Sequence, residues 1–394
     1  MLQIAYALLV VALPAAPLYE AELVFPGEPK HNHSPGIVET ADGDLLVCWF
    51  HGAGEKTDDS LVIRGARKKH GSDQWSAPFL MADNQNLPDQ NCVLFIDPRG
   101  KLWLFWISSL DNTSDTYLLK YRTSSDYAGD GPPKWDWQDV LHCRPVNLQQ
   151  RYPESAEQAR EEFAEEIKTN ERLRTRLEYG VTASKDKLAR RLGWMTRTHP
   201  IMLSDTRMMV PLYSDIFNCS LAAFTDDWGK TWEFSEPILP LNVQPSFVRK
   251  QNGDIVAMMR DKSPRRRIPR SVSHDGGQTW TPTQGMEIPN PDSSVECIAL
   301  KSGNWLLVCN DTTGGDRGGR TQLTAYLSDD EGKTWKWHRT LEKHDASTAA
   351  AYPSVIESRD GSILCAYTHS PSPNETIKVV RFNEDWVRAG DAAE

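Results

Sequence analysis

Apolar runs recur along this chain, each opened by a short polar turn. Gly43-Asp44 leads into Leu45-Leu46-Val47-Cys48-Trp49-Phe50, Gly100-Lys101 into Leu102-Trp103-Leu104-Phe105-Trp106, and Gly253-Asp254 into Ile255-Val256-Ala257-Met258-Met259. The pattern returns at Gly303-Asn304 before Trp305-Leu306-Leu307-Val308-Cys309 and at Gly361-Ser362 before Ile363-Leu364-Cys365-Ala366-Tyr367. A weaker copy, Asp205-Thr206-Arg207-Met208-Met209-Val210-Pro211-Leu212, makes six. Consecutive apolar positions without alternation predict strands covered on both faces. With one long gap set aside, the repeat is about 50 residues, the length of a four-stranded propeller blade.

A second repeat lies between these strands. Thr225-Asp226-Asp227-Trp228-Gly229-Lys230-Thr231-Trp232, Ser273-His274-Asp275-Gly276-Gly277-Gln278-Thr279-Trp280 and Ser328-Asp329-Asp330-Glu331-Gly332-Lys333-Thr334-Trp335 share one pattern, their third-position aspartates Asp227, Asp275 and Asp330 standing 48 and 55 residues apart. In such a turn the Asp carboxylate accepts hydrogen bonds from its own backbone. The Gly two residues on permits the positive φ that closes a tight hairpin. The final Trp is expected to open the next strand and pack under the turn. Six strand repeats joined by such turns predict an all-β chain, a six-bladed β-propeller. The long gap, about 154 to 192, loses strand character and becomes charged. Phe163 and Ile167, and Leu173 and Leu177, are spaced four apart, which predicts a helical insertion with a narrow apolar stripe. Such a segment packs on the propeller; the alternatives are a lid or a dimer contact.

Composition narrows the function. Charged residues are 25% and hydrophobic ones 39%, values of a soluble globular protein, and the net charge of −10 argues against nucleic acid or an anionic membrane as partner. Most of the 14 Trp are structural in a repeat protein, but tryptophan also suits stacking on sugar rings. Residues 4–13 are apolar and precede Pro14-Ala15-Ala16, small residues suited to cleavage. Residues 1–18 are therefore expected to be a signal peptide ahead of a propeller over 19–394, which places the protein outside the cell or in the periplasm. No other stretch is long and apolar enough to span a bilayer. Seven Cys form no CxxC pair, so neither a zinc nor a redox motif is present, and no metal or cofactor is expected. Cys48, Cys309 and Cys365 sit inside apolar runs as small buried hydrophobes. The sequence sets no oligomeric state.

The three Asp turns match the Asp-box, or BNR, repeats of the sialidase (neuraminidase) superfamily, which the chain resembles over nearly all of its length past about residue 30, apart from the insertion. The resemblance implies an exo-glycoside hydrolase acting on terminal sugars of a glycan or oligosaccharide. Sialidases hold the substrate carboxylate with three arginines, whose planar forks suit bidentate pairing. A Tyr paired with a Glu is their nucleophile, and an Asp is the acid/base. Here Arg267 lies eight residues before Asp275, an offset similar to that of the second arginine, and Arg320 opens a strand similar to the one bearing the third. Tyr352, in Ala351-Tyr352-Pro353-Ser354-Val355, resembles the nucleophile segment.

Other positions depart from that pattern. The expected first arginine, in an Arg-Ile-Pro before the first blade strand, is His33 in Asn32-His33-Ser34-Pro35. The Arg-Ile-Pro at 267–269 falls in another blade. The Glu that activates the tyrosine is replaced by Gln244, whose amide can orient a hydroxyl but not take its proton. Glu296, one blade later, is the candidate substitute. The acid/base segment offers Glu55, Asp58 and Asp59. Arg197, His199, Arg260 and Asp261 lie where blade strands meet loops and are candidates for lining the axial pocket; salt bridges between blades are the alternative. Three readings follow: a sialidase, a glycosidase for another acidic or deoxy sugar, and a non-catalytic glycan-binding propeller.

Overall fold

The computed structural model describes residues 16–391, so most of the expected signal segment, 1–18, lies outside the described residues. The chain forms six antiparallel sheets arranged as the blades of a propeller. Blade 1 runs His31–Glu39, Leu45–Gly52, Val62–Lys68, Phe79–Ala82, and blade 2 Asp89–Ile96, Leu102–Ser109, Tyr117–Ser124, Trp137–Val140. Blade 3 has a split inner strand, Trp194–Met195 and Ile201–Met202, followed by Met208–Ser214, Cys219–Thr225 and Glu233–Phe234. Blade 4 is Asn242–Arg249, Ile255–Asp261, Arg267–Ser273, Gln284–Pro289, and blade 5 Val295–Ala299, Trp305–Cys309, Gln322–Ser328, Trp337–Lys343. Blade 6 takes Thr348–Glu357, Ile363–Pro371 and Thr376–Phe382 from the C-terminal end, and its outer strand, Tyr19–Leu23, from the other end of the chain. Pairing the two ends in one sheet closes the ring.

The six apolar runs are the second strands of the blades, and residues such as Leu46, Leu104, Val210, Ala257, Leu307 and Ala366 are wholly buried. They lie between an inner and a third strand and between adjacent blades, which is why their pattern does not alternate. Inner strands of neighbouring blades pack around the axis, with that of blade 6 returning to that of blade 1.

Each Asp turn joins the third and fourth strands of blades 3, 4 and 5. Asp275 Oδ1 accepts from Gln278 N at 3.1 Å and Thr279 N at 3.0 Å, while Oδ2 accepts from Thr279 Oγ1 at 2.6 Å. The glycine does more than turn the chain. A Cβ on Gly277, whose φ is +90°, would lie 2.9 Å from Met209 Cε and 3.1 Å from Phe224 of blade 3. The terminal tryptophans do not open the next strand as expected; they precede it and pack sideways. Trp280 stacks on Phe247 with ring centroids 5.2 Å apart, and Trp232 meets Tyr121 of blade 2 edge-on at 5.8 Å.

The insertion is helical, as its periodicity predicts: α1 (Leu148–Glu162), α2 (Ala164–Thr169) and α3 (Glu171–Ala183). It begins and ends earlier than the charge pattern indicates. Tyr152, Ala156, Ala159, Phe163, Leu173 and Leu177 bury their apolar stripe against Trp194, Ile216 and Phe217 of blade 3 and its approach. Glu162 binds Arg265 of blade 4, with Nε to Oε1 at 2.8 Å. No helix among the described residues is long and apolar enough to cross a membrane.

Asp330 accepts four hydrogen bonds within its turn, from Ser328 Oγ, Lys333 N, Thr334 N and Thr334 Oγ1, whereas neighbouring Asp329 pairs only with Lys336 at the surface. Asp330→Ala is expected to cost about 2–3 kcal/mol, since bonds to a charged acceptor are lost and backbone donors are stranded. Asp329→Ala is expected to cost less than about 0.5 kcal/mol. Urea unfolding of the two variants tests this contrast.

Candidate active site

Four inner strands carry a bulge at the same level. Register breaks between His33 and Gly36, Gln90 and Val93, Val243 and Ser246, and Ala351 and Ser354. Within each bulge one non-glycine residue is left-handed: Ser34 at φ +55°, Asn91 at +49°, Gln244 at +54° and Tyr352 at +61°. Such conformations cost energy and persist only where surroundings impose them. They turn one side chain per blade away from the ladder at the axis.

Tyr352 is 8% exposed and sits among cations. Arg260 Nη1 donates to its hydroxyl oxygen at 2.6 Å. The guanidinium carbons of Arg320 and Arg197 lie 5.2 and 5.3 Å from its ring centroid. The His33 ring packs on it at 4.2 Å. Arg260 Nε in turn binds Asp292 Oδ1 at 2.5 Å, and Lys262 Nζ reaches the same oxygen at 3.1 Å. Arg320 Nη2 donates to the Asp292 backbone carbonyl at 3.2 Å. Asp292 is itself left-handed, at φ +67°.

The charges settle one another. Burial disfavours the Asp292 carboxylate, but Arg260 and Lys262 outweigh it and hold the group well below the usual carboxylate range. Burial likewise works against the charge on Arg260, yet Tyr352, Asp292 and Asp215 keep it firmly cationic. Lys262 is pulled down to about 8, first by burial and then by Arg260. Burial, with the positive fields of His31, Arg320, Arg197 and Arg260, holds His33 well below the ordinary imidazole range. His33 is therefore a neutral ring, its Nδ1 hydrogen-bonded with Thr368 Oγ1 at 2.9 Å.

Gln244 does not meet Tyr352 directly; its Nε2 donates to Tyr213 Oη at 3.3 Å, and Asn91 Nδ2 donates to the same oxygen at 2.9 Å. Arg267, expected beside the tyrosine, is turned away. It begins the third strand of blade 4, pairs with Pro289 and rests its stem near Gly285. Arg260, at the end of the second strand, occupies the place beside Tyr352. Asp261 is buried under the 261–267 loop, where its carboxylate accepts from Ser263 N at 2.9 Å and Oγ at 2.7 Å and from Arg267 N at 3.3 Å. Burial pushes it up to about 6 despite these donors.

Glu296 is not available to Tyr352 either. One oxygen accepts from His199 N and faces His199 Nδ1, both at 2.8 Å; the other accepts from Val355 N at 2.6 Å. Arg197 donates to Pro35 O at 3.3 Å and Pro353 O at 2.9 Å, and Thr198 Oγ1 to Pro245 O at 2.5 Å. Arg197, His199 and Glu296 thus form a buried plug across the axis, beneath Tyr352. Among the described residues, no side chain of the acidic loop hydrogen-bonds Tyr352: Asp59 accepts from Asn112 Nδ2 at 2.5 Å, Asp58 from Ser60 N at 2.6 Å, and Glu55 is exposed. Lys56 of this loop pairs with Asp215 at 3.7 Å.

Sequence reasoning missed Asp292, Lys262, Tyr213, Asn91 and Arg176 of α3, which feels the charges of Asp215, Asp292 and Arg260. An available signal was the repeated residue-Pro step on inner strands: Ser34-Pro35, Gln244-Pro245, Tyr352-Pro353.

A propeller with Asp-box turns and a basic, tyrosine-centred cluster at the axis defines the class. The chain belongs to the BNR repeat-like domain family, within the sialidase superfamily: the match covers residues 43–148 and 183–365, and the break falls on α1–α3. It is 24% identical over 176 residues to a sialidase of Micromonospora viridifaciens, covering 43% of this chain and 26% of that protein. The chain thus spans about a quarter of the length of the curated relative it matches. Among solved structures, a Dyadobacter fermentans protein of unknown function superposes with a TM-score of 0.68 at 14% identity, over 92% of this chain and 98% of the other. The intramolecular trans-sialidase of Ruminococcus gnavus, solved with oseltamivir carboxylate, superposes at 0.64 with 12% identity, over 91% and 95%. These likenesses establish the shared fold.

The plug gives a stability prediction with a defined pH window. Burial opposes the charge on His199, but Glu296 raises its pKa above 6.5; burial opposes ionised Glu296, but His199 and Arg197 lower its pKa below 4.5. The histidine's contribution is complete below 6.5 and lost as pH rises through its folded value. The glutamate's is complete above 4.5 and lost as pH falls through its own. The pair is expected to stabilise most between these limits. Glu296→Gln should cost about 3 kcal/mol there, as breaking one side of a buried pair does, and the loss should shrink at alkaline pH. Chemical denaturation across pH checks both the size and the slope.

Proposed function

We propose that the Tyr352 pocket binds the terminal, acidic sugar of a glycan and that the protein is a sialidase-like exo-glycoside hydrolase. The single observation that carries this reading is the Tyr352 hydroxyl held 2.6 Å from Arg260, with Arg320 over the same ring. Two guanidiniums converging at one tyrosine suit a carboxylate placed next to an electrophilic carbon. A phenol nucleophile suits an anionic sugar, because it approaches without the repulsion of a carboxylate. In this reading the Tyr352 hydroxyl gives its proton to a pocket water as Oη bonds to the anomeric carbon and the bond to the leaving oxygen breaks. A carboxylic acid of the 55–59 loop, Glu55, Asp58 or Asp59, gives that oxygen a proton, and water later releases the sugar from Tyr352. Arg260, rather than Arg267, is assigned with Arg320 to the acidic substituent. His33 and Gln244 supply neutral contacts, which favour an acidic or deoxy sugar with fewer charged contacts than three arginines would make.

A second reading is supported by Gln244. With an amide there, Tyr352 has no hydrogen-bonded carboxylate among the described residues. Such a pocket suits a glycan-binding propeller without turnover.

Incubation with aryl sialosides and a panel of acidic glycans separates the readings. Release of a terminal sugar, lost in Tyr352→Phe, is the outcome expected of the hydrolase. Saturable glycan binding with no release by either protein would overturn the enzyme reading and leave the binding module.

A further inference from the structure

We propose that Glu342, His344 and His369 form a metal site for one first-row divalent ion, of which Zn²⁺ is the best match. The three residues come from two blades. Glu342 ends the outer strand of blade 5, His344 follows it, and His369 lies on the second strand of blade 6. One ligand atom from each lies within 4.8 Å of the others. His344 Nε2 is 2.5 Å from Glu342 Oε2, and the His344 and His369 rings are 5.3 Å apart. His369 Nδ1 is buried without a hydrogen-bond partner. A buried imidazole nitrogen left unpaired is costly, and a metal would satisfy it.

The chemistry of the donors selects the ion. Two imidazoles and one carboxylate suit zinc and its neighbours, whereas Ca²⁺ and Mg²⁺ require more oxygen ligands. The second oxygen of Glu342 is already engaged: Tyr367 Oη donates to Oε1 at 2.5 Å, and Lys378 Nζ reaches the same atom. These contacts fix the carboxylate as outer partners of metal ligands do.

The site stands behind the sugar pocket. His344 N donates to Thr321 O at 2.8 Å, and Ala350 N to Arg320 O at 2.8 Å. Thr368, beside His369 on the same strand, holds His33. An ion here would tie blade 5 to blade 6 next to the backbone that positions Arg320 and His33.

The full chain, stripped with chelator, is titrated with ZnCl₂ by calorimetry and with Co²⁺ by visible absorption. The proposal expects one equivalent bound, a ligand-field band of a low-coordinate Co²⁺, and a Tm raised by several degrees. His369→Gln and His344→Gln are each expected to weaken Zn²⁺ binding more than about tenfold, the least that even outer-partner changes cost. Glu342 is left intact because Lys378 and Tyr367 depend on it. Metal-free Tm values show that each variant is folded. Absence of saturable uptake by the native chain, uptake unchanged in both variants, or preference for Ca²⁺ would overturn the assignment.

Discussion

The peptides nearest the axis of a propeller face a problem of unpaired polar groups, and one segment resolves it here. Inner strands bond outward to their own second strands, so bulges at the axis leave N–H and C=O groups with no ladder partner. Buried groups of that kind must find one. Residues 197–199 supply it for blade after blade: Arg197 to Pro35 and Pro353, Thr198 to Pro245, His199 to Ile37 and Glu296. This explains why the inner strand of blade 3 is split. A continuous strand would keep these side chains in the ladder; the interruption lets the chain reach across to blades 1, 4, 5 and 6. The plug also forms the underside of the Tyr352 pocket, so the geometry of the site depends on it.

The fold was legible because two of its constraints are local. A strand buried on both faces must be apolar at every position, and an Asp turn must place its Asp, Gly and Thr at fixed offsets. Both repeat six and three times, and their register counts the blades. The insertion was legible by its four-residue spacing, though α1 starts at Leu148, before the charged run begins. What stayed hidden were features set by neighbouring blades. The tryptophans of the Asp turns were expected in strands, yet their partners, such as Tyr121 for Trp232, come from elsewhere in the chain.

The site was legible in part for the same reason. Tyr352, Arg320 and His33 stand where the sialidase resemblance points, Arg260 where a strand meets a loop, and the structure gathers them. Arg267 was chosen by its distance along the chain to Asp275, but that distance is measured on a third strand, far from the axis. Arg260 sits at the end of a second strand, next to the inner one, and the pairing of Val243 with Arg260 across the sheet sets it beside the axis. Glu296 was chosen for its charge and blade position; its partners, His199 and Val355, lie 97 and 59 residues away. No local pattern carries such information.

The replacement of an arginine by His33 follows from the electrostatics of the pocket. Arg260, Arg320, Arg197 and Lys262 surround Tyr352, while Asp292 is the near counterion. A further guanidinium at position 33 would be buried to the 9% exposure of His33 within that positive field, with little water to offset it. Guanidinium cannot shed its charge, whereas imidazole can. A neutral ring costs no ion there, packs on Tyr352 and leaves Thr368 satisfied. The positive charge that an arginine would bring from blade 1 is supplied instead from beneath by Arg197, whose Nη1 and Nη2 donate to the backbone carbonyls of Pro35 and Pro353. That guanidinium contributes its field to the pocket without offering a free hydrogen-bonding fork. Tyr352 is therefore left with two arginines, Arg260 and Arg320, in a general positive potential.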